Sequence, residues 1–275
     1  MFRPLVSVII PNFNHARYLK ARIDSVLAQT YTNFEVTILD DAPTDESCEI
    51  IRTYGGNVKV KSIIQNDKNT GSPFLQWQRG LQMAVGDWVW IAESDDYADR
   101  RFLELLLAAV DEKPSVGLAY CDSKIVVGNT ETSETFASLK NNKFKTNRWS
   151  EDHINNGLNE LEDYLLEGGT INNTSAVLFS RKFLDEARPF DLAFKYIGDL
   201  YTFVKVLAIS DIVYIKESLN FYRDPFNSKH ADRFINYFYE QFVILDWVWR
   251  NTNISSKKFF RIFHKNTRNS VYRDW

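Results

Sequence analysis

The chain has 275 residues, 44% of them hydrophobic and 25% charged, which supplies a core and excludes a disordered tail. Its 33 Lys/Arg and 36 Asp/Glu leave a formal charge of −3, which excludes a nucleic-acid binder held by bulk charge. Cys48 and Cys121 are too few for a disulfide framework or a cysteine-built zinc site, and read as buried free thiols of a reducing, cytoplasmic compartment.

Residues 6–10 are an apolar run ended by Pro11, with no secretory pattern ahead of it. Residues 16–29 carry Leu19, Ile23, Val26 and Leu27 at helical spacing. A second strand follows at 36–39, ended by Asp40-Asp41, and then a helix at 44–54 with Thr44 as its expected N-cap. A strand at 58–64, a helix at 72–85 closed by Gly86 and a strand at 88–92 come next. That last strand runs into Glu93-Ser94-Asp95-Asp96, ahead of a helix at 99–112 and a strand at 116–120. Residues 128–156 are polar with few apolar anchors and read as an irregular loop. Strand, helix and strand return at 175–179, 198–210 and 212–215, and amphipathic helices are expected at 231–249 and 257–271. No run approaches the ~18 apolar residues of a membrane span.

Apolar strands alternating with amphipathic helices predict an α/β fold, a Rossmann-like and mostly parallel sheet sandwiched by helices. Ligands bind such sheets beyond the carboxyl ends of the strands. Three of those ends are polar: Pro11-Asn12-Phe13-Asn14, Asp40-Asp41 and Glu93 to Asp96. There is no G-x-G-x-x-G, no P-loop and no G-x-S-x-G, and the four histidines form no H-x-x-x-H pair. Carboxylate chemistry remains. Three acids in four residues repel one another unless a cation or solvent relieves them, and a hard divalent ion shared with substrate phosphates suits them. A solvated turn capping the next helix explains the same residues, and Asp40-Asp41 reads equally as an Asx-turn.

Four motifs in order carry a resemblance. Val6 to Asn14, Gln29 to Val36, Asp40 to Asp45 and Gly86-Asp87-Trp88 leading to Glu93-Ser94-Asp95-Asp96 resemble family 2 glycosyltransferases with the GT-A fold. The resemblance covers residues 4–120 closely and 170–228 loosely. It implies transfer of a sugar, with inversion, from a nucleoside-diphosphate-sugar, most simply a UDP-sugar, to an acceptor hydroxyl. Carried over, Pro11 and Phe13 line the nucleobase pocket and Asp41 contacts the base. Asp95 faces the ribose or sugar, and Asp96 binds Mn2+ or Mg2+ on the diphosphate. Asp199 is the expected base; read alone, it is a helix N-terminal acid favourable to the dipole. Glu93 replaces the usual first Asp, and Gly198 replaces the Glu of a Glu-Asp pair. Trp77-Gln78 replaces a common Arg-Asn, with Gln78 as an expected donor contact, and Ala42-Pro43 replaces a Gly-Ser turn. Asn172-Asn173-Thr174-Ser175 is expected to touch the donor sugar or acceptor. Arg223 is an expected diphosphate contact, and His230 an expected partner of Asp96 at the metal.

The tail stands apart. Residues 250–275 hold seven Lys/Arg and one Asp, a local +6 that leaves −9 for the rest. Twelve aromatics lie between 231 and 275. A basic aromatic helix suits an anionic membrane surface, where lipid-linked acceptors reside, and equally suits packing on the core or on a second subunit as a homodimer. The expected division is therefore a catalytic domain at 1–230 and C-terminal helices at 231–275. The expected function is a metal-dependent inverting glycosyltransferase of bacterial surface polysaccharide or lipid-linked glycan synthesis, with a glycan or lipid-linked acceptor, at the inner face of the membrane. An inactive sugar-nucleotide-binding module and a nucleotidyltransferase are the alternatives.

Overall fold

The computed structural model describes residues 3–188, 194–223 and 232–271. The strands are β1 (Val6–Asn12), β2 (Phe34–Asp40), β3 (Val60–Gln65), β4 (Trp88–Ile91), β5 (Tyr97–Ala98), β6 (Val116–Val127), β7 (Thr130–Thr135), β8 (His153–Asn155), β9 (Val177–Ser180) and β10 (Asp211–Arg223). The helices are α1 (Ala16–Leu27), α2 (Ser47–Arg52), α3 (Pro73–Met83), α4 (Phe102–Val110), α5 (Phe136–Phe144), α6 (Gly157–Glu160), α7 (Leu166–Gly168), α8 (Arg181–Ala187), α9 (Gly198–Leu207), α10 (Asp232–Asn251) and α11 (Ser256–Val271).

One sheet runs β3-β2-β1-β4-β9-β6-β10-β5. The first four strands are parallel, as their continuous apolar runs predict, with Val8 of β1 opposite both Val36 and Trp90. Beyond them the sheet is mixed: β9 is antiparallel to both β4 and β6, while β10 runs parallel to β6. The two-residue alternation of strands divides the core. Val6, Val8, Ile10, Trp88 and Trp90 pack with Leu19, Ile23, Phe102 and Leu106 on one face. Ile9, Val89 and Ile91 pack with Phe74, Trp77, Phe203 and Leu207 on the other. Gly80 lets α3 ride close on β1, because a Cβ there would meet the Ile9 side chain at 2.4 Å.

Three expectations need correction. Residues 128–156 are no irregular loop: they form β7, α5, a short 3-10 turn and β8. Gly128, at φ +64°, turns β6 into β7, and a reciprocal Thr135–Ser138 capping box opens α5. The anchors are few but deep. Trp149 is 1% exposed and donates to the Tyr120 hydroxyl at 2.9 Å. Glu160, fully buried, accepts from Arg148, Asn155 and Thr170. Thr44 does not cap α2, which begins three residues later; its amide donates to Asn14 Oδ1 at 2.7 Å. Cys121 is buried as expected, whereas Cys48 is half-buried, and both are free thiols.

The C-terminal helices join the second of the two core faces through Ile244, Leu245, Val248, Phe259 and Ile262. Part of their charge is locally met. Lys258 pairs with Glu162 and Asp163, and Arg261 and Lys265 pair with Glu167. No helix among the described residues is long and apolar enough to cross a membrane.

Candidate active site

The carboxyl ends of β1, β2 and β4 converge, and the register sets Asn12 beside Asp40. Asn12 donates to Asp40 Oδ1 at 2.8 Å, and burial pushes the Asp40 carboxyl up. Pro11 is buried in β1, while Phe13, just past it, is 41% exposed. Asp41 is 4% exposed, and both of its oxygens are engaged. Thr70 donates through its amide at 3.0 Å and its hydroxyl at 2.7 Å, and Asn66 donates at 2.7 Å. Asp41 therefore fixes the loop between β3 and α3. Ala42 follows at φ +54°, a left-handed conformation that Gly adopts without strain.

The acid cluster after β4 is held from four directions. Trp77 of α3 donates its indole N–H to Glu93 Oε1 at 2.7 Å. Burial, and then the charge of Asp95, push Glu93 up to about 8. Ser94 bonds His15 Nδ1 at 2.8 Å. Asp96 is 2% exposed and accepts from Asn173 Nδ2 at 2.9 Å and from the Arg223 amide at 3.0 Å. Burial, then Asp95, push it up to about 6, against the opposing charge of Arg22. Asp95 is half-buried, and its carboxylate makes no hydrogen bond among the described residues.

Two arginines face these acids. Arg22 is fully buried on the apolar face of α1 and donates through Nε to the Glu93 carbonyl at 2.8 Å. Burial lowers it to about 10, while Asp96, Asp95 and Glu93 act to keep it charged. Arg223 ends β10. Its guanidinium sits 4.6 Å from the Tyr18 ring and 4.7 Å from the Tyr97 ring, and donates to the Asp95 carbonyl at 2.6 Å. The two-residue β5 explains this meeting. It follows the acid motif at once and pairs antiparallel with β10, Tyr97 opposite Phe221, so the end of β10 is brought over the cluster.

Asp199 lies in the first turn of α9, half-buried, and burial raises it to about 6. Packing links it to the cluster. A Cβ on Gly198 would lie 2.9 Å from the Phe74 ring, and Phe74 packs edge-on against Trp77, the partner of Glu93. The Gly198 departure thus has a steric reason: Phe74 fills the space that a larger side chain would need.

The structure brings Pro11, Asp41, Asp95, Asp96 and Arg223 to neighbouring strand ends. Of the Trp77-Gln78 pair, Trp77 bonds the acid cluster, and Gln78 is half-exposed one position on. Asn173 and Ser175 support the acids, Ser175 Oγ accepting from the Glu93 amide at 3.1 Å. His230, with Asn227 and Ser228, lies outside the described residues. Sequence reasoning missed Arg22, Tyr18, Tyr97 and His15. Arg22 had a signal, a charged residue in the same stripe as Leu19, Ile23 and Val26.

Among the described residues, no group of three or more His, Cys, Asp or Glu is disposed to hold a metal ion. Asp95 and Asp96 nonetheless fit one. Two carboxylates are what a hard divalent cation uses when substrate phosphates complete its shell. The Asp95 carboxylate has no hydrogen bond among the described residues, and Asp96, already bonded by Asn173, Arg223 and Ser175, still has acceptor capacity on one oxygen.

The model of the glycosyl transferase family 2 matches residues 7–181. The chain belongs to glycosyltransferase family 2. The chain is 29% identical over 224 residues to an uncharacterized glycosyltransferase of Nostoc sp., covering 79% of this chain and 64% of that one. It therefore spans less than two thirds of that relative's length. Among solved structures, it superposes on residues 1–349 of Staphylococcus aureus TarS in complex with UDP-GlcNAc. The TM-score is 0.73 at 19% identity, over 97% of this chain and 73% of that one. The Pyrobaculum calidifontis mannosyltransferase PcManGT, in complex with GDP-Man and Mn2+, gives 0.68 at 18% identity, over 97% and 70%. At such identities the likeness carries the fold: the chain has the GT-A architecture.

Proposed function

We propose that the transferase moves a sugar, with inversion, from a nucleoside-diphosphate-sugar to an acceptor hydroxyl, using a divalent metal, in surface glycan synthesis. The observation that carries this reading is the meeting of Asp95, Asp96 and Arg223 at the ends of β4 and β10, linked by Phe74 and Trp77 to Asp199 at the start of α9. Solved structures of similar fold in complex with UDP-GlcNAc and with GDP-Man and Mn2+ support the donor class and the metal.

In this reading Pro11 and Phe13 border the nucleobase, and the Asp41-fixed loop shapes that end of the cleft. Gln78 adds a donor contact from α3, and Asp95 with Asp96 holds Mn2+ or Mg2+. Such a metal, when bound, neutralises the charge that grows on the departing diphosphate. Arg223, held between two tyrosine rings, offers a second positive charge to the same oxygens. His230 is a further metal-ligand candidate. Asp199 takes the acceptor proton. The acceptor oxygen bonds the anomeric carbon as the bond to the diphosphate breaks, and that electron pair leaves with the nucleoside diphosphate. A carboxyl near 6 is mostly ionised at pH 7 and ready to act as base.

The tail is better explained by packing than by membrane docking, since Lys258, Arg261 and Lys265 already face Glu162, Asp163 and Glu167. Incubating the protein with a panel of sugar nucleotides and Mn2+, and reading released nucleoside diphosphate, tests the function. Release from one donor, lost with EDTA, is expected. Binding without release indicates an inactive module, and pyrophosphate exchange a nucleotidyltransferase.

A further inference from the structure

Helix α10 carries a buried acid that no role above uses. Glu240 is 4% exposed, and its carboxylate accepts from three consecutive backbone amides: Lys195 at 2.6 Å, Tyr196 at 3.0 Å and Ile197 at 2.8 Å. These residues lead directly into α9, whose N-cap residue, Ile197, supplies no side-chain cap. Successive amides aimed at one anion form a fixed concavity, and charge-assisted bonds of this kind are the strong ones. The carboxylate belongs to a different helix, more than forty residues away in sequence. The surroundings are otherwise apolar. Phe194 stacks on Tyr201 at 4.6 Å, and Gly198 abuts Phe74.

We propose that Glu240 is a positioning residue for Asp199: by holding the amides of Lys195, Tyr196 and Ile197 it fixes the turn that presents Asp199 to the acceptor. This rests on the reading of Asp199 as the base. A glutamine would offer one acceptor oxygen where these amides use two, and the charge has a second consequence. Glu240 is the one charged group among the described residues found to act on Asp199 electrostatically, and it favours the protonated form. The helix α3 presents Phe74 there, the Lys195 side chain is exposed, and Lys205 of α9 is turned away onto the Arg188 carbonyl. The C-terminal helices are thereby part of the catalytic unit.

Glu240→Gln and Glu240→Asp test this in the full chain, with turnover read as nucleoside diphosphate released from the donor the panel identifies, and donor affinity by calorimetry with Mn2+. The first removes the charge, and the second keeps it but withdraws it by a methylene, so one remains informative if the other fails to fold. Turnover should fall about tenfold to a hundredfold, the loss expected when a reacting group is misplaced by about an ångström, with donor affinity within about twofold. The acidic limb of the Glu240→Gln rate profile should move below the wild-type limb near pH 6. Leu245→Ala, which removes a buried side chain of the same helix, controls for stability loss and should keep turnover within about twofold when assayed well below its melting point. Unchanged turnover in Glu240→Gln beside an inactive Asp199→Asn would overturn the positioning role alone. An active Asp199→Asn would overturn the base assignment and this inference with it. Equal losses in Glu240→Gln and Leu245→Ala would reduce Glu240 to a structural part.

Discussion

Beyond β4, burial pushes Glu93 and Asp96 up to about 8 and about 6, yet Arg22 opposes both shifts and the Arg223 amide bonds Asp96. At the α9 end, burial pushes Asp199 up to about 6 with no opposing cation among the described residues, and Glu240 adds to the shift. In the first region a buried cation, Arg22, works against the burial that raises the acids. The second leaves one carboxyl free to exchange a proton near neutrality, which suits a base. The difference is set by neighbours, since both regions start from ordinary aspartates.

Removing the carboxylate at the α9 end should give the largest effect. Asp199→Asn is expected to lower turnover about 10²- to 10⁴-fold, the usual contribution of a general base. In the wild type, turnover should fall about tenfold per pH unit below about 6, because only the ionised form accepts the proton. A flat profile between pH 4.5 and 7 would remove Asp199 from this role.

Arg22→Met attacks the other region. Deleting one partner of a buried ionic group costs about 3 kcal/mol, and here it leaves the acids without their interior cation. The loss should be greater at pH 8 than at pH 5. Glu93 and Asp96 have folded values raised to about 8 and about 6, so both take up protons as the pH falls and need Arg22 less. Equal denaturant midpoints for the variant and the wild type at pH 8 would contradict the countercharge role.

Gly198→Ala sits between the regions. Its Cβ would press on the Phe74 ring at 2.9 Å, and overpacking of this kind costs about 1–3 kcal/mol. Because Phe74 contacts Trp77, weaker donor binding should accompany the stability loss. A variant with unchanged melting temperature would show that α9 can withdraw from α3.

The smallest effect has an unusual sign. Asp199→Asn should stabilise the fold at pH 8 by about 1–2 kcal/mol, after allowance for partial exposure. The folded carboxyl is raised from 3.8 to about 6, so its charged form is the unfavourable one. That penalty is absent below the unfolded value, grows between the two and is complete above about 6. Gain of stability together with loss of turnover would mark Asp199 as retained for chemistry.

The parallel half of the sheet was legible because each strand announces itself locally. Val6 to Ile10 and Trp88 to Ile91 are unbroken apolar runs, and their polar ends point at the cleft. Asp95, Asp96 and Asp199 were singled out through motif resemblance. The supports were not. Asn173 reaches Asp96, and Trp77 reaches Glu93, across sequence separations that no periodicity records. The 128–156 region was hidden for a related reason: its apolar anchors are few, and Glu160 binds Arg148, Asn155 and Thr170, so part of its anchoring is patterned by partners rather than by apolar repeat. Arg22 was visible as a charge within an apolar stripe, and its meaning came only with the acids above it.

Calorimetric titration of the identified donor, with Mn2+, into wild type, Asp96→Ala and Asp199→Asn tests the division between the two regions most directly. The account predicts that Asp199→Asn binds as the wild type does and that Asp96→Ala loses metal-dependent binding. Unchanged binding by Asp96→Ala, or loss of binding by Asp199→Asn, would contradict it.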